Sequence, residues 1–178
     1  VPEQVIHRMY KMIKTSTLPK FCKKINSIDE INNYFTVNLT NRYDRVRVIG
    51  DIHGCYTALQ QAITPWDEKT LYIFCGDYLE RGIENKEMMY EMMRLSTLPN
   101  TIMLEGNHER HIANFAFHTN LDRSKRFMKD VVAPIIKDMT KKEVESLQRE
   151  LRLFYKSLRQ CYPFSFHSKK YLVSHGGI

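Results

Sequence analysis

Val46-Arg47-Val48-Ile49-Gly50-Asp51-Ile52-His53-Gly54 is the stretch from which the rest of the chain can be read. Val46 to Ile49 is a short β-branched run that reads as a buried strand, and it ends in a Gly-flanked turn carrying Asp51 and His53. The same arrangement recurs downstream. Leu71 to Cys75 leads into Gly76-Asp77-Tyr78-Leu79-Glu80-Arg81-Gly82, Thr101 to Leu104 into Gly106-Asn107-His108-Glu109, and Tyr171 to Val173 into Ser174-His175-Gly176-Gly177. Strands of a parallel sheet deliver their following loops to one edge, where ligands bind. Asp51, His53, Asp77, Asn107 and His175 are therefore expected to converge although they lie far apart in sequence. An Asp/His/Asn set on one sheet edge suits a pair of divalent cations, which points to a metal-dependent hydrolase.

The segments between the motifs read as helices. Cys55 to Ile63 follows Gly54 and is stopped by Pro65; Ile83 to Leu95 carries Met88/Met92 and Met89/Met93 at i, i+4 spacing, a stripe read as core packing. Asn107 to Phe117 and Asp122 to Asp138 continue the helical pattern, with a break or kink at Pro134. Thr140-Lys141-Lys142-Glu143 is a capping box opening a helix to about Gln160. Cys161 to Lys170 reads as an irregular stretch or a short hairpin. The β-α-β-α-β alternation predicts an α/β fold with a largely parallel sheet. Residues 1–44 differ in character: Pro2 to Ile13 and Ser27 to Phe35 read as short helices and Asn38 to Asp44 as a polar loop. The expected division is thus an N-terminal helical segment, 1–44, and a domain portion, 45–178.

Hydrolysing a phosphoester at neutral pH needs an activated water and neutralisation of the phosphoryl charge. Two metals roughly 3.5 to 4 Å apart supply both, held by a bridging carboxylate. Asp51 and His53 share one tight turn and face one metal, Asp77 is placed to bridge, and Asn107 and His175 offer an oxygen and an imidazole to the second. Such mixed O/N donors suit manganese first, with iron or zinc as alternatives, better than a thiolate-rich structural zinc site. His108 is the candidate general acid for the leaving alkoxide. Glu80 is expected to hold its other ring nitrogen and Arg81 to clamp phosphate. His111 reads as a surface or supporting residue, and His7, His118 and His167 as structural.

The ordered set GDIHG, GDYLERG, GNHE and SHGG resembles the calcineurin-like metallophosphoesterase superfamily, especially the phosphoprotein phosphatase branch and its bacterial and phage relatives. The resemblance spans residues 45–178. It implies a sandwich of β-sheets flanked by helices, of which only the first sheet and its helices are expected in this chain. It assigns Asp51, His53 and Asp77 to one metal, Asp77, Asn107 and His175 to the other, His108 as acid and Arg81 as phosphate contact. It implies phosphomonoester hydrolysis by attack of metal-bound water, serine/threonine protein phosphatase-like. The alternatives are a nucleic-acid end-repair phosphatase, a diadenosine polyphosphate hydrolase, or a non-catalytic binding module. Where the family motif reads Asp-Arg-Gly this chain has Glu80-Arg81-Gly82, so the contact with His108 is expected to be looser or bridged by water. The family also supplies a further metal-binding histidine and a phosphate-binding arginine after the HGG motif. The chain is accordingly expected to be a fragment, weakly active or unstable by itself, an impression its non-Met first residue strengthens. Val1 to Tyr10 weakly resembles the tail of the P-loop kinases in polynucleotide kinase-phosphatases.

Composition narrows the classes. With 178 residues and 43% hydrophobic content the chain can bury a core. No apolar stretch approaches the roughly 20 residues a membrane span needs. His108-Glu109-Arg110-His111 lacks the HExxH spacing of zinc proteases, and no GxxxxGK[ST] phosphate loop is present, so this segment is not by itself an ATPase. Cys22, Cys55, Cys75 and Cys161 form no CxxC pair, which fits a reducing, cytoplasmic setting, and Cys75 reads as a small core hydrophobe. The net charge of +7 and pI near 9.2 favour anionic partners: a phosphorylated protein, nucleotide or nucleic-acid end. Arg42/Arg45/Arg47, Arg123/Lys125/Arg126, Lys141/Lys142 and Lys169/Lys170 form the basic clusters, read mainly as solvated surface.

Overall fold

The computed structural model describes residues 37–176. The chain divides into two compact units, Val1–Tyr34 and Phe35–Ile178, and the described residues belong to the second. The expected helices Pro2 to Ile13 and Ser27 to Phe35, His7, Cys22 and the kinase-tail resemblance lie outside them.

Three parallel strands, β1 (Arg45–Ile49), β2 (Thr70–Phe74) and β3 (Thr101–Met103), form a sheet in the order β1-β2-β3. In-register pairs run Val46–Leu71, Val48–Ile73 and Ile73–Ile102. β2 is central and buried on both faces. Tyr72 and Phe74 point into one core with Leu59 and Ile63 of α1 (Tyr56–Ile63) and with Met88, Met89 and Met92 of α2 (Asn85–Ser96). Each methionine is essentially inaccessible, so the stripe packs as expected and each side chain contributes roughly 1.5–3 kcal/mol of apolar burial.

The same core takes in α3 (Glu109–Phe117) and α5 (Lys141–Ser157). Between them Lys125–Phe127, the π-helical Met128–Val132 and Ala133–Ile136 run on as one helix, α4 (125–136). Pro134 has no N–H to return to the Asp130 carbonyl, so the irregularity expected there is accommodated as a π turn just upstream. The capping box at the start of α5 is formed: Thr140 accepts from the Glu143 N–H, and the Glu143 carboxylate accepts from Thr140 N. Such a cap contributes about 1 kcal/mol.

Alternation in β2 sends Leu71 and Ile73 to the opposite face. There they meet Leu104, Tyr162, Phe164, Leu39 and Tyr43. Tyr162 and Phe164 belong to β4 (Cys161–Phe166), which pairs antiparallel with β5 (Lys169–Ser174) across a two-residue turn. His167 and Ser168 both take positive φ there, which matches the twist of a tight hairpin. Of the two readings of 161–170, the hairpin is the observed one.

The run Tyr171 to Val173 therefore does not extend the parallel sheet, as its placement before the fourth motif implied. It is the return strand of a separate two-stranded sheet, so a small second layer accompanies the first. Nor are all motif strands buried. Tyr171 and Leu172 are each 41% exposed and Val48 50%, because β1 and β5 each pair on one side only among the described residues. The polar stretch 38–44 also packs more closely than its composition indicates. Leu39 and Tyr43 are buried, Leu39 N–H donates to Ser165 O, and Tyr43 Oη donates to Pro99 O at 3.2 Å.

Candidate metal centre and acid dyad

The loops after β1, β2 and β3 leave the sheet at one edge, and the first two are laced together by backbone hydrogen bonds. Ile52 and His53 N–H both donate to Asp77 O, Gly54 N–H to Tyr78 O, and Gly82 N–H to His53 O. The fit is too close for side chains at several points. A Cβ on Gly76, at φ 103°, would collide with the Gly106 backbone, and one on Gly82 would strike His53 O. His53, Asp77, Glu80 and Arg81 are non-glycine residues held at positive φ. Backbone strain of this kind costs of order 1–3 kcal/mol per residue and persists where the surroundings impose it.

At Asp77 the constraint comes from Glu109. Its carboxylate is fully buried and accepts from Asp77 N–H (2.8 Å), Gly106 N–H (2.6 Å) and Tyr78 N–H (3.0 Å). Burial raises its pKa, and the three donors oppose that shift. Sequence reasoning gave Glu109 no role. The only signal was its place after Asn107-His108, because two of its three partners, Asp77 and Tyr78, lie 32 and 31 residues back. Asn85 acts likewise on the Glu80 loop, accepting from Glu80 N–H and donating to Gly82 O.

All five residues expected to converge do so. Asp51, His53 and Asp77 present ligand atoms within 4.8 Å of one another. His53 Nε2 lies 3.7 Å from Asp51 Oδ2 and 3.6 Å from Asp77 Oδ2. Its Nδ1 is 3.2 Å from Leu79 O; a carbonyl only accepts, so Nδ1 carries the proton and Nε2 a lone pair. That Nε2 is buried and has no hydrogen-bond partner.

His175 repeats the arrangement. Nδ1 donates to Cys75 O at 3.0 Å, which turns the Nε2 lone pair toward Asn107 Oδ1 (2.9 Å) and Asp77 Oδ1 (3.6 Å). Two acceptors in contact beside a carboxylate call for a cation or a proton between them. Asp77, nearly inaccessible, offers one oxygen to each cluster, and its Oδ1 also accepts from His108 N–H. The donor set of carboxylates, an amide oxygen and imidazoles, with an orphaned buried nitrogen at its centre, fits two divalent ions.

Beside this group, Glu80 and His108 contact directly through Glu80 Oε2 and His108 Nδ1. The looser or water-bridged pairing expected from the extra methylene is not what forms. Glu80 and Arg81 both take positive φ in this turn, and from there the Glu80 carboxylate reaches the ring without a bridging water. His108 Nε2 then lies 3.8 Å from Asp77 Oδ2 and 3.5 Å from Arg81 Nη2. His111 stacks on Phe127 and is hydrogen-bonded to Ser124 Oγ, a supporting position. His118, at the αL cap of α3, contacts Gln148 Oε1. Cys75 proves half-buried just past β2 rather than a core residue.

The basic clusters are partly committed elsewhere. Arg45 is paired with Asp67, Arg47 donates to Ala62 O, Lys125 is paired with Asp122 and Arg126 with Asp130. Among the described residues no helix is long and apolar enough to cross a membrane.

The calcineurin-like phosphoesterase pattern matches residues 44–178. Serine/threonine-protein phosphatase 2 of Salmonella typhimurium is 31% identical over 82% of this chain and 64% of its own length. The symmetrical bis(5'-nucleosyl)-tetraphosphatase of Baumannia cicadellinicola is 33% identical over 73% of this chain and 41% of its own length. A Saccharomyces cerevisiae protein serine/threonine phosphatase shares the fold, with a TM-score of 0.52 and 19% identity, over 100% of this chain and 55% of its own. The chain thus spans less than two-thirds of the length of each. With the pattern matched across three-quarters of its residues and the motif side chains gathered at one sheet edge, the chain belongs to the calcineurin-like phosphoesterase family.

Proposed function

We propose that this chain carries the dinuclear centre of a phosphomonoesterase of serine/threonine phosphatase type. The observation that carries the reading is the buried, unpartnered His53 Nε2 facing the carboxylates of Asp51 and Asp77. A lone pair left without a donor in a buried setting is costly unless a cation meets it. Asp51, His53 and Asp77 would hold one ion and Asp77, Asn107 and His175 the other; manganese suits these donors, with iron or zinc as alternatives. When bound, the pair supplies an activated water and neutralises the phosphoryl oxygens.

The remaining work falls to the chain's own groups. Arg81 places a guanidinium beside His108, where it orients a phosphoryl oxygen. Glu80 fixes the His108 tautomer and stabilises the imidazolium, so that Nε2 carries the proton delivered to the departing alkoxide. Glu109 keeps the Asp77 carboxylate aimed at both clusters by holding its backbone N–H. Cys55, Cys75 and Cys161 are free thiols, which suits a reducing, cytoplasmic setting.

The test is hydrolysis of an aryl phosphate by the full chain, titrated with Mn2+ and reversed by chelation. Turnover that rises with metal and is lost in Asp77→Asn supports the reading. Metal binding without turnover would leave a binding module instead.

A further inference from the structure

Next to the acid dyad the surface opens into a cavity of about 260 Å³ lined by Arg110, His111, Asn114, Asn120 and Arg123. Its position follows from the helix repeat. His108 caps α3 and His111 is three residues on, so their rings share a face with centroids 6.1 Å apart, while the His53 ring lies 5.2 Å from His108. The His108 ring therefore touches both the metal-side histidine and the histidine that borders the cavity. The far wall is built by the turn after α3. His118 and Asn120 both adopt αL backbone, reversing the chain into the 3₁₀ turn Leu121–Ser124. Ser124 Oγ is then tied to His111 Nδ1 and Asn114 Nδ2, each at 2.9 Å, and the neighbouring Arg123 lines the same cavity as Arg110.

Neither Arg110 nor Arg123 forms an ion pair or a side-chain hydrogen bond among the described residues. The nearby acids are used otherwise: Asp122 is paired with Lys125, Asp130 with Arg126 and Glu80 with His108. The two guanidiniums are solvent-exposed and line one cavity, where both attract an anion. Together with the Asn120 carboxamide and the second N–H of Asn114, whose first is given to Ser124, they offer several donors and no competing carboxylate, which suits the oxygens and double charge of a phosphate.

We propose that this cavity is a subsite for a second phosphate, carried on the alcohol side of the substrate. The side follows from the role of His108: the group that protonates the departing oxygen faces the leaving alcohol, and the cavity lies just beyond it. The proposal rests on the phosphomonoesterase reading for that direction, and on the cavity alone for its anion chemistry. It selects alcohols that are themselves phosphorylated, such as nucleotides, over neutral ones.

A matched pair tests it in the full chain: a nucleoside 3'-phosphate against the corresponding nucleoside 3',5'-bisphosphate, with an aryl phosphate as reference. The bisphosphate is expected to be preferred through KM by at least about tenfold, the size of one charge-assisted hydrogen bond. In the Arg110→Gln/Arg123→Gln variant that preference, expressed relative to the aryl phosphate, collapses toward one; Arg110→Lys/Arg123→Lys retains part of it. Calorimetric titration of the metal-stripped full chain with a nucleoside 5'-phosphate, itself a phosphomonoester that the loaded centre would turn over, reads the subsite without turnover. Absence of aryl phosphate hydrolysis would remove the phosphomonoesterase reading, yet the titration would still decide the subsite. Equal KM values in the wild-type chain, or nucleotide binding indifferent to both double variants, would overturn the proposal. So would an arginine-dependent preference seen with acidic phosphopeptides and not with the bisphosphate, which would assign the cavity to peptide carboxylates.

Discussion

Glu80 and His108 meet through Oε2 and Nδ1, and this contact leaves His108 Nε2 directed at Asp77 and Arg81. The pairing fixes which nitrogen is available for proton transfer. Glu80→Ala is expected to lower kcat by roughly 10–100-fold, as losses of such orienting partners do, with metal content unchanged. Glu80→Asp should recover part of the rate, because it keeps a carboxylate facing His108 Nδ1. A fully active Glu80→Ala variant would show that the contact does not matter to turnover.

His108→Ala should keep the metal ions and lose roughly 10² to 10⁴-fold in turnover on alkyl phosphates. With a nitrophenyl leaving group, which departs without a proton, the loss should be much smaller. Equal losses on both substrates would assign His108 to binding and not to acid catalysis.

Glu109→Gln should destabilise the fold. The amide NH2 that replaces one carboxylate oxygen cannot accept from backbone N–H groups, and either orientation strands at least one of three buried donors. Each stranded donor costs about 1–3 kcal/mol. Chemical denaturation monitored by circular dichroism would measure the loss. A variant as stable as the wild type would mean the clamp is dispensable.

Asp67 ties β1 to the turn before β2: its carboxylate accepts from Thr70 Oγ1, Lys69 N–H and Arg45. The Thr70 hydroxyl first, then these other donors, lower its pKa from 3.8 to about 2. A carboxyl whose folded pKa is depressed stabilises the fold above its unfolded pKa, and that contribution is lost as pH falls through the folded value. Stability should therefore decline between about pH 4 and pH 2, and Asp67→Asn should flatten that part of the profile in denaturant titrations. An unchanged acid slope would contradict the linkage.

Much of this arrangement was legible before any coordinates. β-Branched and aromatic runs ending in glycine located Asp51, Asp77 and Asn107 at strand ends, because a buried strand followed by a turn has few other spellings. Thr140 and Glu143 announced the start of α5, and Met88, Met89 and Met92 the buried face of α2. Features set by distant partners were not legible. Tyr171 to Val173 looks like the earlier motif strands, yet it pairs with Tyr162 to Phe164, seven to eleven residues back, and local pattern does not choose between that hairpin and the parallel sheet. Glu109 reads as an ordinary first-turn acid until the Asp77 loop is seen against it. Leu39 and Tyr43 were hidden in a polar stretch because their packing partners lie in β2 and β4. The open arginine cavity needed the αL turn at His118 and Asn120, which nothing in those two residues dictates.

The central claim is that Asp77 joins two metal sites, one completed by Asp51 and His53 and the other by Asn107 and His175. Calorimetric titration of the metal-stripped full chain with Mn2+ tests it most directly, through stoichiometry in the wild type and in His53→Ala, His175→Ala and Asp77→Asn. The account predicts two ions per chain, one in each histidine variant, and loss of high-affinity binding at both sites in Asp77→Asn. A single site in the wild type, or two ions retained in Asp77→Asn, would contradict it.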